Sequence, residues 1–195
     1  RNHLLTFPEQ GGVRWVPIGE VVRNLDSKRK PITGSARISG PYPYYGANGI
    51  QDWVEGYIFD GTYLLVGEDG SVINKDNTPV LNWVEGKSWV NNHAHVLEAK
   101  DGTLNLRFLY HYLSTAKISE YVTGGSQLKI NQSNLNKIPV PLPSAAFQRY
   151  VVKVLDKFDA LVNDISIGLP AELNARRKQY EYYRDKLLNF KELEA

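Results

Sequence analysis

The chain has 195 residues, of which 23 are Lys or Arg and 21 are Asp or Glu, so its formal net charge is only +2. Its 42% of hydrophobic residues predict a globular protein of one or two small domains and exclude intrinsic disorder and collagen-like repeats. The absence of Cys excludes disulfide frameworks, thiolate zinc sites, iron–sulfur clusters and cysteine nucleophiles.

The sequence carries no pattern of a membrane segment or of export. No apolar run approaches the roughly 18 residues that a membrane helix needs, and residues 1–30 lack a signal-peptide core. We therefore expect a cytoplasmic protein. Because the chain starts at Arg1 and contains no Met, we also expect a processed or trimmed N-terminus.

Residues 1–143 have the composition of a mixed, sheet-rich domain. They hold all four Trp and nearly all of the Gly and Pro, with short β-branched or aromatic runs between turn residues. Asp69-Gly70 and Asp101-Gly102 are predicted turns in which Gly supplies a positive φ. The predicted strands are Arg14–Val16, Gly56–Phe59, Tyr63–Gly67, Trp89–Asn91 and His93–Glu98.

Two further segments complete this region. In Leu104–Ser114 the leucine and tyrosine side chains recur at steps of three and four residues, which predicts a helix. Lys137–Pro143 contains three prolines, each of which removes a backbone donor and restricts the residue before it. We expect this segment to be an extended strap that closes the domain.

Residues 144–195 are predicted to be helical. Their first part has an apolar heptad seam. Gly168 and Pro170 interrupt the pattern, so a second helix is expected from Pro170 to about Phe190. The two helices form either a hairpin packed on the sheet-rich domain or an arm for dimerisation or docking. The seam consists of Phe147, Val151, Val154, Phe158, Leu161 and Ile165.

The sequence lacks complete motifs of P-loop nucleotide-binding proteins and of adenine methyltransferases. The Gly-Lys-Ser at residues 86–88 lacks the first glycine of a P-loop. The chain also lacks the Asn/Asp-Pro-Pro-Tyr/Phe tetrapeptide of adenine methyltransferases, so it is not itself such an enzyme. A metal-dependent nuclease would use Asp69 or Asp76 with Glu85 and Lys87, a combination that also arises by chance.

Two histidines are candidates for a shared metal. His93 and His95 lie two apart in a predicted strand, so both rings are expected on one face. Spacing supplies no third ligand, and histidines hydrogen-bonded within the fold are the more common case. We therefore expect no metal.

Seven segments are distributed over nearly the whole chain. In this order and spacing they resemble the specificity subunits of type I restriction–modification systems, although each motif alone is weak. Phe147 departs from the family pattern, in which Glu more often precedes Gln148. The segments are Trp15–Glu20, Tyr42–Ile50, Tyr57–Ser71, Trp89–Val96, Gly125–Gln127 with Asn131 and Leu135, Ile138–Pro143, and Arg176–Leu188.

The resemblance implies an α+β protein in two parts. Residues 1–143 would form a mixed, sheet-rich target recognition domain that reads one part of a split site in double-stranded DNA. Residues 144–195 would form a long-helix, coiled-coil arm that acts as a spacer and dimerisation region. A full-length member has two of each part, so the chain is similar to a half subunit.

The resemblance also implies that catalysis belongs to partner subunits. Methyltransferase (M) subunits would methylate adenine with S-adenosylmethionine, and restriction (R) subunits bound through them would cleave DNA with ATP and Mg²⁺. The chain itself would be non-catalytic and would hold no cofactor. It would pair through its arm as a homodimer or with a different half.

Two polar loops carry the side chain types that contact DNA. Lysine and arginine suit phosphates, while amides and hydroxyls suit base edges. Either loop could instead be an ordinary hydrophilic surface. The predicted DNA-binding residues are Lys28, Arg29, Lys30, Arg37, Ser126, Gln127, Lys129, Asn131 and Gln132.

The arm carries the residues expected to dock a partner. Aromatic and leucine side chains would be buried on one face of the second helix, and arginines would bind carboxylates of the partner. The predicted docking residues are Arg176, Arg177, Tyr180, Tyr183, Arg184 and Leu187.

A competing interpretation is a protein-binding or glycan-binding module. In that case exposed Trp53, Trp83 and Trp89 would form the contact surface. Binding to DNA phosphates weakens steeply with salt, whereas stacking on sugars does not, so ionic strength separates the two interpretations.

Overall fold

The computed structural model describes Leu5, residues 13–163 and residues 168–188. The chain divides into two compact units, Arg1–Val152 and Lys153–Ala195. The first unit thus extends two helical turns beyond the expected boundary at Pro143, because Gln148 and Val151 are buried in it.

The first unit is a mixed α+β domain. Its helices are short and its strands dominate, as predicted. In chain order its elements are β1 (Arg14–Pro17), α1 (Ile18–Val21), β2 (Val22–Asn24), β3 (Ser39–Gly46), β4 (Gly49–Val54), β5 (Phe59–Gly67), β6 (Leu81–Val90), β7 (Ala94–Ala99), α2 (Leu106–Leu113), α3 (Gln132–Asn136) and β8 (Pro139–Leu142).

A six-stranded sheet in the order β2-β7-β5-β6-β3-β4 forms the centre of this unit. The long strand β6 is shared, since its first eight residues pair antiparallel with β5 and its last two pair parallel with β3. Leu64, Leu65 and Val66 of β5 are fully buried, which fits a central strand covered on both faces. The sheet therefore provides a rigid frame for the loops at its ends.

The proline-rich strap is extended, as expected. It forms β8, which pairs antiparallel with β1 from Arg14 opposite Leu142 to Pro17 opposite Pro139. A two-stranded ribbon tolerates prolines because each strand has a free edge. The pairing brings residues 14–17 together with residues 139–142 and closes the domain.

Four local predictions in the first unit are wrong in their bounds or their backbone geometry. The strand expected at Gly56–Phe59 begins only at Phe59, because the residues before it connect β4 to β5. Trp89 and Val90 are only the end of β6, and His93 precedes β7. Gly70 has the expected φ of +71°, whereas Gly102 does not adopt a positive φ. The Asp101 side chain instead accepts hydrogen bonds from Thr103.

Two long helices follow the strap, as predicted. Helix α4 spans Ala145–Asn163 and helix α5 spans Leu169–Leu188. In the seam, Val151 is buried while Phe158 and Leu161 are more than half exposed. Ile165 and Phe190 lie outside the described residues. None of the helices described here is long and apolar enough to cross a membrane.

Candidate nucleic-acid interface

The segment Thr123–Lys129 forms a small hairpin, here called the recognition hairpin. Thr123 and Lys129 exchange two backbone hydrogen bonds of 2.7 Å each. Gly124 has a φ of +103°, and a Cβ there would lie 2.1 Å from the carbonyl oxygen of Gln127. Only glycine fits this position. The hairpin therefore holds Ser126 and Gln127 at an exposed tip of fixed backbone geometry.

Backbone hydrogen bonds fasten the recognition hairpin to the loop after β5. The amide of Gly70 donates to the carbonyl of Leu128 at 3.0 Å, and the amide of Ile130 donates to the carbonyl of Glu68 at 2.8 Å. The base of the hairpin is thus continuous with the frame of the sheet. Its tip, at Ser126 and Gln127, is exposed.

The second predicted DNA loop begins with a short 3-10 turn at Asp26–Lys28. The loop is attached to β7, since the amide of Leu25 donates to the carbonyl of Val96 at 2.8 Å and the amide of Val96 donates to Asp26 Oδ1 at 2.9 Å. We call Asp26–Lys30 the basic loop. Lys28 and Lys30 are exposed, and within the described part of the chain neither forms an ion pair.

Arg29 of the basic loop points inward. Its Nη1 lies 2.6 Å from Glu68 Oε2 and 2.7 Å from the carbonyl oxygen of Ala94, and its Nη2 lies 3.4 Å from Asp26 Oδ2. The side chain is only 12% exposed. The sequence predicts a phosphate contact for Arg29, and the structure gives its guanidinium carboxylate partners inside the domain.

His95 connects the two loops. Its Nδ1 lies 2.5 Å from Asp26 Oδ2 in the basic loop, and its Nε2 lies 2.9 Å from the carbonyl oxygen of Ile130, next to the recognition hairpin. The side chain is 1% exposed. Two loops about a hundred residues apart in the sequence are therefore neighbours at one end of the domain.

The electrostatics of this cluster favour an ionised Asp26. Burial alone would raise the pKa of Asp26, but the hydrogen bond and charge of His95, the amide of Val96 and the charge of Arg29 together hold that pKa below its ordinary value. The Glu68 carboxylate accepts from Arg29 and lies 3.8 Å from Lys129 Nζ. Lys129 is half exposed, so its ammonium group remains accessible to a ligand.

Two other predicted DNA-binding residues have internal partners. Arg37 is 21% exposed, lies 3.3 Å from Asp52 Oδ2, and stacks 4.3 Å above the ring of Tyr44. The Asn131 side chain accepts a hydrogen bond from the amide of Asn134 at 2.8 Å and so caps α3. Gln132 is exposed beside that cap.

Sequence reasoning missed Asp26, Glu68 and the connecting role of His95. The contacts of Arg29 with Glu68 and Ala94 span 39 and 65 residues of sequence. No local pattern marks partners so far apart. The sequence shows only that these residues are ionisable, and an ionisable side chain is costly to bury without a partner.

The cluster of Asp26, Glu68 and His95 has the composition of a metal site, with ligand atoms within 4.8 Å of one another. However, the Arg29 guanidinium contacts both carboxylates, and both nitrogens of His95 already have hydrogen-bond partners. A protein cation thus occupies the place that a metal would take. His93 contacts a different carboxylate, that of Asp69, so the two histidines do not share a ligand site.

The nuclease set is not assembled in this fold. The Glu85 carboxylate accepts from Trp83 Nε1 at 2.8 Å, and Lys87 Nζ lies 4.6 Å above the ring of Tyr57. Among the residues that the structure describes, no cluster of three or more possible metal ligands includes Glu85.

The three tryptophans of the competing interpretation have different environments. Trp53 is 48% exposed. Trp83 packs under the guanidinium of Arg107 at 4.9 Å, and Trp89 Nε1 donates to the carbonyl of Lys30 at 2.6 Å. Trp83 and Trp89 therefore have contacts within the domain, which does not favour a shared aromatic platform.

The predicted docking residues lie along α5. Arg176 and Arg177 form ion pairs with Glu172 and Glu181, one turn away on the same helix. Tyr180 and Tyr183 are 66% and 52% exposed, and Arg184 is exposed too. The side chain of Leu187 lies outside the described residues.

Comparison with known proteins identifies the family. The type I restriction modification DNA specificity domain matches residues 12–175. The chain belongs to this family. It is 42% identical, over 99% of its length, to a type I restriction enzyme specificity subunit of Haemophilus influenzae, and 30% identical, over 97%, to one of Escherichia coli. The resemblance inferred from sequence is thereby confirmed.

A solved structure supports the fold. The type I restriction–modification S subunit of M. genitalium aligns with a TM-score of 0.62 over 94% of the chain, at 17% identity. The predicted fold class, a sheet-rich domain followed by long helices, is confirmed. The chain spans 50% and 44% of the two curated relatives and 49% of the solved S subunit.

Proposed function

We propose that this chain is a DNA-reading half of a type I specificity subunit. It binds double-stranded DNA through the recognition hairpin and the basic loop and reads one part of a split site. It is non-catalytic, and it directs adenine methylation and restriction to that site by partner subunits. Membership of the specificity family supports this proposal.

The observation that carries the proposal is the convergence of the two loops on His95. Because Asp26 and Ile130 both contact His95, the exposed ammonium groups of Lys28, Lys30 and Lys129 and the exposed amide of Gln127 belong to neighbouring loops. Phosphate contacts position a protein on the duplex, and amides read base edges in the major groove. One surface therefore offers both kinds of contact.

The chemistry of the complex then belongs to partners in the cytoplasm. Methyltransferase subunits supply S-adenosylmethionine, and restriction subunits supply ATP and Mg²⁺. In this proposal the chain itself supplies no cofactor. Its helices provide the docking surface for the methyltransferase subunits, and these bring in the restriction subunits.

A second copy of the chain completes the split-site reader. The chain spans about half of its curated relatives, and a homodimer would restore two recognition domains. Exposed Tyr180 and Tyr183 on α5 supply apolar area for that contact. Sedimentation of the full chain at micromolar concentration is expected to show a dimer that Y180A/Y183A abolishes, while a strictly monomeric native chain would contradict the pairing.

The salt dependence of DNA binding tests the proposed interface. Removing one lysine that binds a phosphate lowers the slope of log K against log salt by about 0.9. The triple variant K28A/K30A/K129A is therefore expected to lower the slope by up to about 3 on a random-sequence duplex. The charge-matched control K100A/K117A/K137A removes exposed lysines outside both loops. An equal reduction of the slope in the two triple variants would refute the assignment.

Selection from a random duplex library tests base reading. Gln127→Ala is expected to change the enriched sequence, because it removes an exposed amide without touching the hairpin backbone. Asn131→Ala is expected to weaken binding through loss of the α3 cap rather than to alter the preferred bases. An unchanged enriched sequence in Gln127→Ala would move base reading elsewhere.

A further inference from the structure

We infer that His95 is a positioning residue of the DNA interface, held as an imidazolium that fixes the basic loop and the recognition hairpin relative to each other. The inference rests on the proposed function in one respect, namely the role of those two loops in contacting DNA. The claim that His95 fixes the two loops concerns the free protein and does not depend on DNA binding.

The hydrogen bonds of His95 require both ring nitrogens to be donors. The carbonyl oxygen of Ile130, 2.9 Å from Nε2, can only accept. Asp26 Oδ2, 2.5 Å from Nδ1, belongs to a carboxylate that also accepts from the amide of Val96 and from Asn24 Nδ2 and lies beside the Arg29 guanidinium, so it is an acceptor as well. A neutral imidazole has one N–H and could satisfy only one of these acceptors, whereas an imidazolium satisfies both.

The surroundings of His95 balance its charge. A buried cation is costly unless opposite charges and hydrogen bonds compensate. The carboxylates of Asp26 and Glu68 lie 2.5 and 3.7 Å from Nδ1. The second internal cation is Arg29, which contacts both carboxylates. His95 and Arg29 thus balance the two carboxylates inside the cluster, and the half-exposed Lys129, 3.8 Å from Glu68, adds one positive charge at its solvent side.

His95 is itself anchored by the sheet. In the register of β5 and β7 it lies opposite Val66, which is fully buried. Its backbone position is therefore set by the frame and not by either loop. From this fixed point one nitrogen holds the 3-10 turn at Asp26–Lys28 and the other holds Ile130, the residue that follows the recognition hairpin. The distance between the phosphate-binding lysines and the tip then depends on a doubly protonated ring.

The protonation state can be measured in the native chain. In ¹⁵N-labelled protein near neutral pH, both ring nitrogens of His95 are expected to carry a proton-coupled resonance. An unprotonated ring nitrogen would overturn the inference. This measurement needs no variant, so it decides the question even where a substitution at a buried site prevents folding.

Two substitutions test the two hydrogen bonds of His95 one at a time. His95→Asn keeps a donor near the place of Nδ1, so it is expected to retain the contact with Asp26 and release Ile130. His95→Gln keeps a donor near the place of Nε2, so it is expected to do the reverse. Amide hydrogen exchange in the released loop should rise about tenfold or more, because a charge-assisted hydrogen bond is removed. His93→Gln, a half-exposed neighbour paired with Asp69, is the control.

Exchange measured with a random-sequence duplex separates this inference from the proposed function. Protection of both loops by DNA in the native chain supports the proposed function, and absence of that protection removes it without affecting the role of His95 in the free protein. Selective loosening of one loop in each His95 variant supports the inference. Equal exchange in His95→Asn, His95→Gln and the native chain would overturn it, whatever the outcome with DNA.

Discussion

The buried side chain of Gln148 holds the start of α4 against the sheet-rich domain. Its Nε2 donates to the carbonyls of Thr103 and Pro143, both at 2.9 Å, and its Oε1 accepts from the amide of Asn105 at 2.7 Å. The residue is only 1% exposed. One amide therefore satisfies three backbone groups from two segments that are far apart in sequence.

Removal of this amide should destabilise the first unit substantially. A buried polar group left without its partner costs about 1–3 kcal/mol. The side chain borders a cleft of about 200 Å³ lined also by Thr103, Asn105 and Arg149, which would admit water to some of the orphaned groups. We therefore expect Gln148→Ala to cost about 2–4 kcal/mol in the free energy of unfolding, below the sum of three full penalties.

The stability of a Gln148→Glu variant is expected to depend on pH. The carboxylate still accepts from Asn105, but its second oxygen faces two carbonyls that also accept. Folding then disfavours the ionised form and raises the pKa of the new carboxyl group. The variant is accordingly expected to be destabilised at neutral pH and to recover part of its stability as the pH falls and the group becomes a donor.

Urea unfolding followed by tryptophan fluorescence measures this effect. All four Trp precede residue 143, so the signal reports only the first unit. Gln132→Ala, at an exposed glutamine, is the matched control. A change below about 0.5 kcal/mol in Gln148→Ala, which is the usual range of surface substitutions, would refute the role assigned to Gln148. A Gln148→Glu variant without pH dependence would do the same.

Three further predictions concern the loops and their anchors. Native stability should fall as the pH drops below about 4, because the pKa of Asp26 lies under its ordinary 3.8, and Asp26→Asn should lack this part of the acid response in urea titrations. Gly124→Ala should cost about 1–3 kcal/mol locally, seen as faster amide exchange in the recognition hairpin with α2 unaffected. Arg37→Ala should lower stability by about 1 kcal/mol or less and leave the salt slope of DNA binding unchanged, since its guanidinium is bound to Asp52 and Tyr44.

Local sequence patterns predicted the elements that depend on local chemistry. The three prolines of residues 137–143 require an extended strap, and the three- and four-residue spacing in 104–114 requires a helix. Strands β3 and β4 were missed, and β3 contains Gly40, Pro41 and Pro43, which are poor strand formers. Strand β3 is stabilised by pairing with β6 and with β4, and such pairing is not visible in a local pattern.

The candidate site was predictable in its residue types but not in their partners. Arginines and lysines in a Gly- and Pro-containing stretch indicate an exposed basic loop, yet Arg29 turns inward because Glu68, 39 residues later, provides a carboxylate beneath it. Lys28 and Lys30 remain exposed on either side. Which of several adjacent cations is internal depends on tertiary contacts.

The charged side chains that fix the two loops are distinct from the exposed side chains available for sequence recognition. The cluster around His95 fixes the loops without using the tip of the hairpin, where the side chain of Gln127 is exposed and forms no hydrogen bond within the described residues. A change at the tip should therefore alter recognition at little cost in stability, within about 0.5 kcal/mol. Glutamine pairs with adenine in the major groove and arginine with guanine. Gln127→Arg is thus expected to replace an adenine by a guanine at one position of the sequence selected from a random duplex library. Retention of the native sequence by a normally stable Gln127→Arg variant would show that the tip does not read bases.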